Sequence, residues 1–94
     1  MNDEQLLASV KANLGFSTAA YDTALQEKID AAKAYIEREG ASLEPSSSAE
    51  DAQLVVMYAV WLWDKRLDST AAMPRMLRWA LNNRIFGAAM EGDA

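Results

Sequence analysis

The stretch AEDAQLVVMYAVWLWDKR, Ala49–Arg66, decides how this chain folds. Its centre, Leu54 to Trp63, is a run of ten residues without a charge. Set out at 100° per residue, the run has no polar side, which is the pattern of a helix buried all round. It is about half the ~20 residues needed to cross a bilayer, so it reads as the middle of a bundle and no membrane span is expected. Leu54, Tyr58 and Trp61 fall on one side, with Val56, Ala59 and Trp63 roughly opposite. Three other short helices offer little surface to cover both indole-bearing sides. One side is therefore expected to meet another subunit, with Tyr58, Trp61 and Trp63 as the candidates. The alternative is a central helix enclosed by its own bundle.

The residues before Ala49 set the start of that helix. ASLEPSSS, 41–48, with proline followed by three serines, is the clearest linker in the chain. Ser47 with Glu50, or Ser48 with Asp51, has the spacing of a capping box, in which a serine oxygen accepts a backbone N–H three residues on. Further upstream, Tyr21, Leu25, Ile29, Ala32 and Ile36 make one apolar stripe on a helix predicted over 20–39 and stopped by Gly40. Asp30, Lys33 and Glu37 are spaced to pair on its wet face. Leu6, Leu7, Val10 and Leu14 predict a shorter helix over 3–13, with Asp3 and Glu4 at its positive end and Gly15 as its stop.

Downstream, Asp64, Lys65 and Arg66 return the chain to water, and DSTAAM, 68–73, is a short connection. Pro74 suits the first turn of a fourth helix, where its missing N–H costs nothing. On that helix Met76, Leu77, Ala80 and Leu81 share an arc of about 140° that can face the bundle. Arg75, Arg78 and Asn82 lie on the other side, and Trp79 falls among them. Tryptophan and arginine are enriched at interface hot spots, and a pair of them can gain a cation–π contact of roughly 0.5–2 kcal/mol. Arg84 decides where this helix is expected to end. A continued helix would turn Arg84 into the apolar arc near Leu77, and an unpaired buried charge is costly. A stop at Asn82–Asn83 avoids that, since asparagine tolerates left-handed C-terminal geometry. Ile85 and Phe86 then have no home in the bundle and are free for a partner. The expected fold is all-α: a small bundle of about four helices over residues 1–84, with a short C-terminal arm over 85–94.

Composition removes whole classes of chemistry. Ninety-four residues make one domain, and 51% of them are apolar, enough for interfaces as well as a core. Cysteine and histidine are both absent, which takes away disulfides, thiolate nucleophiles, the usual zinc ligands and the usual general base. The four glycines stand singly, so there is no phosphate-cradling loop. No pair of carboxylates is placed to work as acid and base. No enzyme activity, metal or cofactor is expected. The opening MNDEQLL is acidic where an export signal would be basic, so a soluble protein made in a reducing cytoplasm is expected. Residues 1–64 carry eleven acidic and four basic side chains, against five basic and three acidic in 65–94. Such an acidic body repels a phosphate backbone, and independent duplex binding is not expected.

In their order and spacing, LLASVKANLGF, ALQEKIDAAKAYIEREGA, AEDAQLVVMYAVWLWDKR and the closing MPRMLRWALNNRIF resemble the head–tail connector (adaptor) proteins of tailed bacteriophages, over residues 5–87. The closing segment is the most specific part of the likeness. The resemblance implies a subunit that assembles into a ring, twelvefold to match the portal, beneath the portal vertex of a filled head. Such a ring extends the channel through which DNA passes as cargo, and stopper or tail-completion proteins dock on it. It is built in the host cytoplasm and carried in the virion. In the family the C-terminal segment contributes to portal docking, and helix flanks pack between neighbouring subunits. The resemblance therefore makes Arg84, Ile85 and Phe86 candidates for portal docking. Arg75, Arg78 and Trp79, with Asn82 and Asn83 beside them, become candidates for contact with the portal or a neighbouring subunit.

The physical reading fits at three points. An over-apolar central helix suits subunits that bury surface against neighbours in a closed ring. An acidic body suits a channel along which DNA slides without sticking. A basic, aromatic end suits a protein partner of complementary charge. Two other uses fit the same residues. PRMLRWALNNR has arginines and asparagines suited to bases, as in a recognition helix. A helical interaction module with an unrelated partner would share the same surfaces.

Overall fold

A computed structural model describes residues 1–92 of the chain, with side chains through residue 87. Four helices follow one another: α1 (Asp3–Leu14), α2 (Asp22–Arg38), α3 (Ala49–Lys65) and α4 (Arg75–Gly92). No strand occurs among the described residues, and the fold is the small all-α bundle expected. α3 is central. It packs against each of the other three, α1 also meets α2, and α4 packs chiefly on α3.

The helix ends follow from local chemistry. Asn2 and Gln5 form a complete capping box at the start of α1, and Gly15 closes that helix in the left-handed region at φ 76°. Ser48 caps α3 by accepting the Asp51 N–H at 3.2 Å, so the second of the two candidate spacings is the one used. The stripes deliver the core: Leu6 and Val10 of α1, Leu25, Ile29, Ala32 and Ile36 of α2, and Leu77 and Leu81 of α4 close on Leu54, Val55, Val56 and Ala59 of α3. Each fully buried branched side chain among them contributes roughly 1.5–3 kcal/mol relative to exposure. Lys33 does not pair along its own helix. It reaches Asp3 of α1 at 2.7 Å, while Lys11 of α1 reaches Asp22 of α2 at 2.8 Å, so both lysines tie α1 to α2.

Two expectations are corrected. The first concerns α3, whose Trp63 and Tyr58 are covered within the chain, at 6% and 7% exposure. Trp63 meets Phe16 and Tyr21 edge-on at 5.8 and 5.7 Å, and the Arg66 guanidinium lies 3.7 Å from its ring centre. Tyr58 stacks on Tyr35 at 6.2 Å and meets Trp61 edge-on at 5.4 Å. The cover that helices alone would not supply comes from the α1–α2 connection, which carries both Phe16 and Tyr21. No second subunit is needed to bury Tyr58 or Trp63.

The second correction concerns α4. It does not stop at Asn82–Asn83 but continues through Arg84 to Gly92. The expected boundary between residues 84 and 85 therefore falls inside a helix, and residues 93 and 94 of the expected arm lie outside the described residues. A break would be needed only if Arg84 were buried without a partner. It has one.

Candidate functional site

Asp51, in the first turn of α3, is 2% exposed. Its Oδ1 accepts from Arg84 Nε at 2.7 Å, and its Oδ2 accepts the Glu44 backbone N–H at 2.9 Å and Arg84 Nη2 at 3.4 Å. Nη2 also donates to the Ser42 carbonyl at 2.6 Å. Burial alone would raise the Asp51 pKa; the Arg84 hydrogen bond, the Glu44 N–H and the Arg84 charge outweigh it and hold the carboxyl below the usual carboxylate range. One guanidinium thus joins α4 to the start of α3 and to the connection before it. Ile85 follows Arg84 onto the inner face, half-buried against the core, where a methyl added at Gly40 would stand 3.7 Å from its Cγ2. Arg84 and Ile85 are turned toward the bundle, not away from it.

The opposite face of α4 is open. Met76, Trp79 and Phe86 are 68%, 63% and 67% exposed, and Arg75, Asn82 and Asn83 are exposed with them. Met76 was expected to pack inward with Leu77, Ala80 and Leu81; it stands outside because α4 lies chiefly on one helix, whose contact arc is narrower than the 140° assumed. Arg78 turns to Glu39 at the end of α2, 3.6 Å away, a solvent-exposed pair that adds little stability. Arg75 and Trp79 make no cation–π contact. Among the described residues the rings that carry a cation are Tyr35, Trp61 and Trp63.

Between α3 and α4 runs a groove of about 610 Å³. The Asp51–Arg84 pair and Leu54 line it, together with Met57 from α3 and Trp79, Ala80, Asn83 and Gly87 from α4. The exposed carboxylates of Glu44 and Glu50 also border it. One turn beyond Met57 on the same face of α3, Trp61 is half-buried beneath Lys65, and its indole N–H has no acceptor among the described residues. Trp61 apart, the candidates therefore separate into three groups. Arg75, Trp79, Asn82, Asn83 and Phe86 share an exposed face; Arg78 is held to Glu39; Arg84, Ile85, Tyr58 and Trp63 belong to the bundle.

The chain matches no known protein family, no curated protein and no solved structure.

Among the described residues no three Asp or Glu side chains are grouped to hold a metal ion, and no helix is long and apolar enough to cross a membrane. The arrangement is a braced helix with an aromatic outer face. Two members of it, Asp51 and Met76, were assigned other roles from sequence. A signal existed for the first: Asp51 and Arg84 each fall on the apolar arc of their own helix, and opposite charges on two buried arcs imply a pair.

Proposed function

We propose that this protein is a head–tail connector (adaptor) subunit of a tailed bacteriophage. It assembles into a ring beneath the portal, twelvefold to match it, extends the DNA channel, and gives stopper or tail-completion proteins their platform. It is assembled in the host cytoplasm and retained in the virion. The order and spacing of the four segments give the reading its identity. The observation that carries it is the outer face of α4: two aromatic side chains about two-thirds exposed beside Arg75, on a helix anchored by Arg84. Exposed apolar surface of this kind marks protein–protein contact, and Trp, Tyr and Arg dominate the energetics of such contacts.

The arginines argue against DNA as the direct ligand. Arg78 and Arg84 are engaged by Glu39 and Asp51, which leaves Arg75 as the one α4 arginine without a carboxylate partner among the described residues. Phosphate binding draws on several free cations at once. DNA is thus passing cargo in this reading.

The test is to mix the purified protein with the portal of the same phage and image the mixture by electron microscopy. Rings stacked beneath the portal are expected. A Trp79→Ala/Phe86→Ala variant should lose them while keeping its helix content by circular dichroism. A protein that neither binds the portal nor forms rings would overturn the proposal.

A further inference from the structure

We infer that the groove between α3 and α4 is a docking site for a basic, amphipathic helix of another protein. The inference stands on the groove and does not depend on the adaptor reading. Leu54 and Met57 of α3 and Trp79 and Ala80 of α4 give the groove its apolar surface, and its volume of about 610 Å³ lies in the range of binding clefts. Arg84, late in α4, pairs with Asp51 in the first turn of α3, so the two walls run antiparallel. The groove therefore has an acidic end, at Glu44, Glu50 and Gly87, and an apolar end, at Met57 and Trp79. Each wall is about two helical turns long.

Charge is the first observation that selects the occupant. The described residues lining the groove carry three carboxylates, Glu44, Glu50 and Asp51, against the one guanidinium of Arg84. Arg84 is held by the buried Asp51, and neither Glu44 nor Glu50 has a cationic partner among the described residues. Two uncompensated carboxylates at one end of an apolar groove attract a cation and repel phosphate or an acidic helix.

The second observation is Trp79. Of the three tryptophans, Trp61 and Trp63 each carry a cation of their own chain, Lys65 and Arg66, while Trp79 carries none. Its open ring can take a cation from a partner. The occupant thus has basic residues two turns apart, one for Glu44 and Glu50 and one for Trp79, with apolar side chains between them. Both walls are α-helices whose backbone groups are bonded internally, so an extended segment laid between them would leave its own N–H and C=O groups unpaired. A helix brings those groups already paired. A second copy fits poorly, because Lys65, Arg66, Arg78 and Arg84 are already engaged by rings or carboxylates of their own chain.

The probe is a blocked peptide of about 15 residues, long enough to form helix. It carries arginines seven positions apart, with leucines at steps of three and four between them. Calorimetric titration into the full chain should show binding, and amide shifts in NMR should change over residues 48–57 and 79–87. Glu44→Gln/Glu50→Gln should weaken binding by at least about threefold. Glu4→Gln/Glu27→Gln makes the same change in net charge outside the groove and should leave the affinity unchanged. Gly87→Leu should weaken binding by at least about fivefold. No heavy atom lies within 4 Å of a Cβ added at Gly87, and leucine is the better helix former, so the melting temperature of this variant should not fall. A peptide with glutamates in place of the arginines should not bind. No binding of the basic peptide, equal binding after its leucines are replaced by serine, or equal weakening by both pairs of Glu→Gln changes would each overturn the inference. Rings beneath the portal formed by a chain that never binds the peptide would leave the functional proposal standing and this one refuted; peptide binding by a chain that ignores the portal would do the reverse.

Discussion

At Asp51 the bundle holds a carboxylate, 2% exposed, against one guanidinium and one backbone N–H. Removing the guanidinium leaves an uncompensated buried charge, so Arg84→Met is expected to cost about 3–5 kcal/mol in urea unfolding. Adding Asp51→Asn keeps an oxygen for the Glu44 N–H and removes the stranded charge, so the double variant should recover part of that loss. The pair also sets a pH dependence. Asp51 titrates below its ordinary 3.8 when folded, so the folded chain takes up this proton less readily than the unfolded chain. Its contribution is complete above the ordinary carboxylate range and is lost as pH falls through 3.8 toward the lower folded value. Urea midpoints taken from about pH 6 down to about pH 3 should fall more steeply for the wild type than for Asp51→Asn/Arg84→Met. At this scale the sequence was half legible. It exposed the problem at Arg84, a charge on an apolar arc, but Asp51 also has a good local reason to sit in a first helical turn. That local role concealed the long-range one.

At the scale of single helices, the two tryptophans Trp63 and Trp79 carry opposite expectations. Trp63→Ala empties a site enclosed by Phe16, Tyr21 and Arg66 and should cost about 3–5 kcal/mol. Trp79→Ala removes a side chain 63% exposed and should change the stability of the dilute monomer by no more than about 0.5 kcal/mol. Thermal melts of both variants at one low concentration decide it; equal losses would place Trp79 in the core. The stripes of α1 and α2 and the stop at Gly15 were readable because period and cap are local properties. The end of α4 was not, because it depends on a partner 33 positions away. The cover over Trp63 was also hidden, since periodicity describes helices and says nothing about what a connection folds over.

Taken whole, the molecule measures 46 × 31 × 18 Å, with α4 joined to the rest chiefly through α3 and the Arg84 clamp. Elements with fewer packed contacts open at lower free energy than the centre. Native-state hydrogen exchange should therefore protect the α3 amides most and those of α4 least, and Arg84→Met should speed exchange in α4 well before it affects α1 and α2. Uniform exchange across all four helices would show that the bundle opens only as one unit. The all-α class was legible at this scale from four apolar periodicities in succession. Which faces stay uncovered was not, because that depends on how the helices are disposed in space.

The span of the clamp has a consequence for time. Arg84 reaches back 33 positions to Asp51 and 42 to Ser42. A closure of that length loses more chain entropy than any turn of helix, and with α4 last in the chain it is expected to form late. A chain made from its N-terminus presents α1, α2 and α3 before Arg84 exists, so Asp51 waits hydrated until the last helix arrives. Interactions made after the transition state leave the folding rate nearly unchanged and slow unfolding. Arg84→Met is thus expected to speed unfolding and to leave the refolding rate nearly unchanged, so the pair would set how long the native molecule lasts and hardly at all how quickly it is born.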